Sequence, residues 1–225
     1  MLMMIQAPPL ITIPTDTWVK ATWEEFSALA ENPQYAEGKF YYDQEYMRIE
    51  VAPLGSAHGH DNTILSTVIL VYAAIKNIRI KGFTNTSFRK TGARESQPDI
   101  GFYIGDNLPF PPRNNSPINL DEFTSPSLIV EIAASSFVDD IGRKRLLYEN
   151  LGIQEYWVVN VEDNTILAFA VENQGSRLIE ESQVLPGLKI ALVTEALQRS
   201  QSEDDGTITR WLMGTKNQPF DSSNS

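Results

Sequence analysis

Leu128-Ile129-Val130-Glu131-Ile132-Ala133 is an apolar run broken by one carboxylate. Such a run reads as a strand. A carboxylate inside it gives up hydration that an unpaired charge cannot easily forgo, so Glu131 must meet a cation, a metal or a proton. A lone glutamate in a strand is most often paired with an arginine or a backbone donor. Asp99 changes that balance, because Pro98-Asp99 opens another apolar strand, Asp99 to Ile104. Two acids brought together repel unless a hard cation neutralises them, and Mg²⁺ prefers such oxygen ligands.

The surrounding pattern places these strands in one α/β domain. Thr22 and Glu25 have capping-box spacing, predicting a short helix to about Ala30. Lys39 to Val51, interrupted at Asp43-Gln44, predicts a hairpin. His58 to Asn77 is the longest predicted helix, with Ile64, Leu65, Val68, Ile69, Tyr72 and Ile75 on a buried face. Asp61 is expected in its first turn, complementing the helix dipole. Strands follow at about 78–90, bent at Gly82, then at 99–104 and 128–133. Next come a helix over 139–151 closed by Gly152, a strand over 155–160 and a hairpin around residues 173–175. Residues 193–199 and 208–213 are expected as short closing helices. The connection from Gly105 to Pro126 carries five prolines and is expected to be a lid or binding element. The reading therefore has an arm over 1–21, one domain over 22–213 and a disordered polar tail over 214–225.

Composition removes several functions. There is no cysteine and there are two histidines, which excludes disulfides, thiolate zinc and a histidine cage; His58 and His60 alone make a poor zinc pair. The apolar stretch Ile64 to Ile75 is too short to span a bilayer, and the first residues lack a basic n-region, so a cytoplasmic protein without membrane attachment is expected. The formal net charge is −11, which argues against non-specific coating of a duplex. Against that background Lys76, Arg79, Lys81, Arg89, Lys90 and Arg94 form a segment with six cations and no acid. Strand alternation would set some of them beside Asp99, facing phosphate; the alternative is a solvated face. Arg143-Lys144-Arg145 follows the Glu131 strand, and Lys144 shares a face with Asp140, Leu147 and Tyr148. It is either a lysine with a buried stem or an ammonium beside the two acids.

Helix, three strands, helix and strand, with an acid on the second strand and a glutamate on the third, resembles the PD-(D/E)XK nuclease core. More narrowly, the chain resembles the Uma-type (Uma2) restriction endonucleases. The segments that carry the resemblance are Thr22-Trp-Glu-Glu-Phe, His58, Gln97-Pro98-Asp99, Val130-Glu131-Ile132, Asp140 through Lys144 to Tyr148, Gly152-Ile-Gln-Glu-Tyr-Trp-Val-Val and Leu185-Pro-Gly-Leu. The resemblance implies a restriction-endonuclease-like core (αβββαβ), a mixed central sheet flanked by helices, with N-terminal and C-terminal hairpin additions. It implies Mg²⁺ or Mn²⁺ held by Asp99, Glu131 and the carbonyl of Ile132, with Glu50 and His58 as candidates to complete the site. Position 133 is Ala where the superfamily has Lys, and Lys144 would take that role. Ala134 stands where the family commonly has Ser. The implied activity is hydrolysis of DNA leaving a 5′-phosphate, by a homodimer. His58, Arg89, Lys90, Arg94 and Gln97 are the expected substrate contacts. The alternative is a catalytically inactive nucleic-acid-binding or regulatory protein on the same core; a third is a phosphohydrolase acting on nucleotides.

Overall fold

A computed structural model describes residues 14–51, 55–106, 108–173 and 175–214. The arm's first thirteen residues and the tail beyond Gly214 lie outside the described residues. From the N-terminus the elements are β1 (Val19–Lys20), α1 (Trp23–Ala30), β2 (Lys39–Asp43), β3 (Tyr46–Glu50), α2 (Ser56–Lys76), β4 (Ile80–Thr84), β5 (Phe88–Lys90), β6 (Arg94–Ser96), β7 (Ile100–Ile104), β8 (Ile118–Asn119) and β9 (Leu128–Ala133). Then come α3 (Phe137–Asp139), a π turn (Asp140–Lys144), α4 (Arg145–Leu151), β10 (Glu155–Asn160), β11 (Thr165–Glu172), β12 (Gly175–Leu178), α5 (Ile190–Arg199) and α6 (Asp205–Gly214).

Two six-stranded sheets form, ordered β1-β3-β2-β6-β5-β8 and β12-β11-β10-β9-β7-β4. The second is the mixed sheet expected from the sequence: β9 and β10 run parallel, linked by the α3–α4 crossover, and the other pairings are antiparallel. One face of this sheet, including Phe102, Val130, Ile132 and Trp157, packs on α2, α5 and α6. On the other face Tyr103, Ile129, Tyr156 and Val158 pack with Leu147 and Tyr148 of α4, and with Tyr41 and Phe88 of the first sheet. Every residue of β9 is buried, as a strand covered on both faces requires. No helix among the described residues is long and apolar enough to cross a membrane.

Several elements depart from expectation for local reasons. The strand expected over 78–90 is two strands in different sheets. The break falls at Asn85, whose φ of 47° turns the chain out of the β4 ladder, and not at Gly82. Gly82 has another use: a Cβ there would lie 2.7 Å from the Phe102 ring. The hairpin turns on Gln44 and Glu45, both left-handed, as a two-residue turn between twisted strands demands. Helix α2 begins two residues earlier than expected, with Gly55 extended at its N-cap. Asp61 therefore sits beyond the first turn, buried at 2 % exposure, with Oδ2 lacking a hydrogen-bond partner among the described residues. It does not serve as a solvated partner of the dipole, and burial raises its carboxyl above the ordinary value.

The expected arm is in part a strand: β1 pairs with β3, and Asp16 N–H donates to the Ile49 carbonyl (2.8 Å). The proline-rich connection 105–126 is bound down at its base. Arg79 stacks on Phe110 (3.7 Å) and donates to the carbonyls of Gly105 and Leu108, and Lys81 reaches the Pro111 carbonyl.

Candidate functional site

Strand register builds the centre. Ile100 pairs with Val130 and Gly101 with Ile129 in antiparallel β7 and β9. Extending that ladder by one residue sets Asp99 opposite Glu131 on a single face, the face that carries Ile129. The Asp99 N–H donates to Glu131 Oε2 (3.3 Å), and the Ile132 N–H donates to Asp99 Oδ2 (2.7 Å). Gly101 is next along β7 on that face, and a Cβ there would lie 2.8 Å from the Phe88 ring. Glycine lets the first sheet close down over the second at this point.

Closure brings in residues from the hairpin and the helices. Lys39, the first residue of β2, places its ammonium on Asp99 Oδ1, and His58 Nε2 from α2 lies 3.1 Å from the same oxygen. Glu131 Oε1 accepts from Tyr148 (2.6 Å) and Tyr41 (3.3 Å). Lys144 Nζ lies 2.8 Å from Glu50 Oε1, 2.9 Å from Asp140 Oδ1 and 4.0 Å from Glu131 Oε1, with the Tyr41 ring 4.2 Å away. The π turn presents Lys144 this way, and such turns recur at functional sites. Tyr156 donates its hydroxyl to the Asp140 carbonyl at the start of that turn (3.0 Å).

These groups border a cavity of about 410 Å³, lined by Asp99, Glu131, Lys39, Lys144, Glu50, His58 and Ile132, and also by Asp16, Glu37 and Arg48. Arg48 binds Glu50 Oε1 (2.8 Å), Asp139 and the Asp16 carbonyl (2.6 Å), tying the N-terminal segment to the site.

The electrostatics separate the two central acids. Burial pushes the Asp99 carboxyl up, but the His58 hydrogen bond and the Lys39 ammonium outweigh it and hold it well below the usual carboxylate range. Burial pushes Glu131 to about 8; Lys144 opposes this, and the charges of Asp99 and Asp140 reinforce it. For Lys144 burial works against the charge, yet Glu131, Asp140 and Glu50 more than compensate, so the ammonium is held more firmly than in water. Glu50 is lowered, Lys144 overcoming its burial.

The structure thus brings together Asp99, Glu131, Lys144, Glu50, Ile132 and His58. It does not bring the expected cationic face to them. Arg89 is ion-paired to Glu95, Arg94 to Asp43 (2.8 Å), and Lys90 is exposed on β5, all three in the first sheet. Gln97 donates to the Asn85 carbonyl. None of Arg89, Lys90, Arg94 and Gln97 lines the cavity. Strand alternation cannot line these cations up because β4 belongs to the second sheet while β5 and β6 pair in the first, and the acids that pair with the arginines come from β2 and β6. The proline-rich connection does not line the cavity either. His58 and His60 diverge, to Asp99 and to Asp205.

The sequence reading missed Lys39, and it gave no role to Tyr41 or Tyr148. Lys39 is 60 residues from Asp99 along the chain, and only the hairpin's place over β7 unites them.

Among the described residues no three His, Asp or Glu side chains are grouped to hold a metal. The donor set still fits Mg²⁺ or Mn²⁺. Both central acids are hard oxygen donors on one face, and Mg²⁺ commonly takes only one or two carboxylates, with water and phosphate completing its shell. A positive charge already sits on Asp99 Oδ1, in the form of Lys39.

The model of the Uma2 family, described as "Putative restriction endonuclease", matches residues 23–206. A crystal structure from Anabaena variabilis, described as a putative nuclease belonging to DUF820, is similar in fold. Its TM-score is 0.54 and its sequence identity 18%, over 78% of this chain and 98% of that one. No curated protein matches the chain.

Proposed function

This chain belongs to the Uma2 family, and from that premise we propose that it is a divalent-metal-dependent endonuclease hydrolysing phosphodiester bonds in DNA. The observation that carries the reading is the cross-strand pair Asp99–Glu131 bordering a cavity, with Lys144 fixed beside it. Asp99 and Glu131 would hold Mg²⁺ or Mn²⁺, with the Ile132 carbonyl and Glu50 as further oxygen donors. Bound there, the cation supplies neutralisation of the phosphate and acidification of an attacking water. The chain's own residues do the rest. Lys144 is too firmly protonated to act as a base, so it offers a fixed positive charge to the phosphate as negative charge builds on it. Tyr148 and Tyr41 orient the Glu131 carboxylate. Water adds to phosphorus and releases a proton to solvent, the bond to the 3′ oxygen breaks, that oxygen takes up a proton to become a hydroxyl, and the 5′-phosphate remains on the other product. We place this reaction in the cytoplasm and on a homodimer, since cutting both strands is simplest with paired sites.

A second reading keeps the fold and drops the chemistry: a nucleic-acid-binding or regulatory protein. Ala133, where the superfamily has Lys, favours it. Supercoiled plasmid with Mn²⁺ separates the two. The nuclease yields nicked and linear DNA that EDTA and Asp99→Ala abolish and Glu131→Gln sharply lowers, and calorimetry shows saturable Mn²⁺ binding lost in Asp99→Ala. Absence of Mn²⁺ binding even with DNA present sinks the nuclease, and DNA binding that survives EDTA then identifies the second reading.

A further inference from the structure

Among the described residues three basic side chains, Lys39, Arg48 and Lys144, line the cavity, and they are not equivalent. Lys144 has a side chain 1% exposed, is held by Glu50 and Asp140, and faces the Tyr41 ring; withdrawing it would strand buried acids. Arg48 is held by Glu50, Asp139 and a backbone carbonyl. Lys39 differs from both. Its side chain is 14% exposed, and Asp99 is its one ion-pair partner among the described residues. That partner is the acid proposed to bind metal.

We propose that Lys39 is the substrate-facing lysine of the cavity: it neutralises Asp99 while no divalent cation is present, and transfers to a phosphate oxygen of the nucleic acid when the cation takes Asp99. This rests on the reading of the site as a metal-dependent phosphodiesterase. The Ile132 N–H already occupies Asp99 Oδ2, so a cation taking Asp99 competes with Lys39 for Oδ1, and the two positive charges repel. The displaced ammonium stays within reach of the cavity on a flexible four-carbon stem, where a nearby anion is its preferred partner. A diester phosphate drawn to the same cation supplies it. The phosphate contact so arises in the first sheet, at β2, and not from the cations of 76–94, which are engaged elsewhere or exposed away from the cavity.

The test compares the full chain with Lys39→Met, Lys39→Arg and Asp99→Ala. Mn²⁺ is titrated calorimetrically without nucleic acid. Affinity for a short DNA duplex is measured by fluorescence anisotropy in Ca²⁺ and in EDTA. Removing the competing cation makes Lys39→Met bind Mn²⁺ about tenfold more tightly than the wild type, a coupling of ordinary size. The same variant binds duplex about tenfold more weakly in Ca²⁺ and unchanged in EDTA, and Lys39→Arg recovers most of the Ca²⁺ affinity. A merely structural lysine would weaken both ligands under both conditions. Mn²⁺ affinity unchanged or lowered in Lys39→Met, or equal loss of duplex affinity in Ca²⁺ and EDTA, overturns the exchange while leaving the metal site standing. A blank Mn²⁺ titration for wild type and Asp99→Ala alike overturns the metal-dependent reading, and the exchange falls with it.

Discussion

Glu131 and Glu155 are buried glutamates on adjacent strands of one sheet, 2% and 0% exposed, and they solve the same problem differently. Glu155 shares a sheet face with Trp157, on the side covered by α2 and α5. It accepts from the Trp157 indole (2.6 Å), the Ser182 hydroxyl (3.2 Å) and the N–H groups of Gln183 (2.9 Å) and Val184 (3.2 Å). Burial and these hydrogen bonds, not a charged neighbour, set its carboxyl among the described residues. Its four donors fasten residues 182–184 to the start of β10. Glu131 faces the other way, meets a second acid and an ammonium, and borders the cavity. A buried carboxylate therefore announces a need for partners. Which partners answer decides between anchoring and chemistry.

The largest difference between the two is expected in activity. Glu131→Gln lowers Mn²⁺-dependent plasmid cleavage about 10³-fold, because it loosens the cation that would neutralise the phosphate, a loss on the scale of removing a transition-state charge stabiliser. Glu155→Gln, which keeps an acceptor for its donors, leaves cleavage within a few-fold of the wild type. Equal losses in both would place the chemistry away from the Asp99 cavity. Next in size is Lys144→Met. It leaves Glu50 and Asp140 without their shared cation and lowers unfolding free energy by about 3–5 kcal/mol near neutral pH. Denaturant unfolding monitored by circular dichroism measures this, and a loss under about 1 kcal/mol would mean that the carboxylates take up protons instead. Smaller again is Glu155→Ala, which strips the donors of the 182–184 segment of their acceptor and lowers stability by about 1–3 kcal/mol. Amide exchange should show Gln183 and Val184 losing protection first. Retained protection would mean that Leu185, Leu188 and Ile190, buried beside this segment, hold it without the carboxylate.

The sequence made the anchor harder to see than the site. Glu131 stands out because it breaks an apolar run, whereas Glu155 begins its strand after Gln154 and looks exposed. The mixed sheet, β9, β10 and the Asp99–Glu131 pairing follow from apolar runs and their order, since a strand covered on both faces has little choice of residue. Lys39 and the fate of the 76–94 cations could not be read that way. Both depend on which sheet a strand joins, and that is decided by Asn85 adopting a left-handed conformation and by Gly101 admitting the Phe88 ring, neither of which changes the hydrophobic pattern. The hairpin likewise looks like an addition to the core in sequence, yet it supplies Lys39, Tyr41 and Glu50 to the cavity or its wall.

The pH dependence of stability sharpens the same comparison. With its carboxyl raised to about 8, folded Glu131 stays protonated across a range in which the unfolded chain, at an ordinary carboxylate value, has lost the proton. The folded state then binds more protons, so in EDTA stability falls as pH rises from about 4.5 to about 8. Asp99 acts in the opposite sense: its depressed carboxyl stabilises the fold above the ordinary carboxylate range, and this is lost only as the solution becomes more acidic than that. Its effect thus lies below the Glu131 window. Glu155 is also raised, by burial that its four donors only partly offset, so it contributes a slope of the same sign as Glu131. Urea unfolding of the wild type, Glu131→Gln and Glu155→Gln at three pH values across the window separates them. The expected result is a slope that flattens most in Glu131→Gln, because the charges of Asp99 and Asp140 reinforce burial there and no second acid does so at Glu155. A slope removed by Glu155→Gln and kept in Glu131→Gln would mean that Lys144 holds Glu131 ionised through neutrality, and that the anchor, not the cavity, stores the proton.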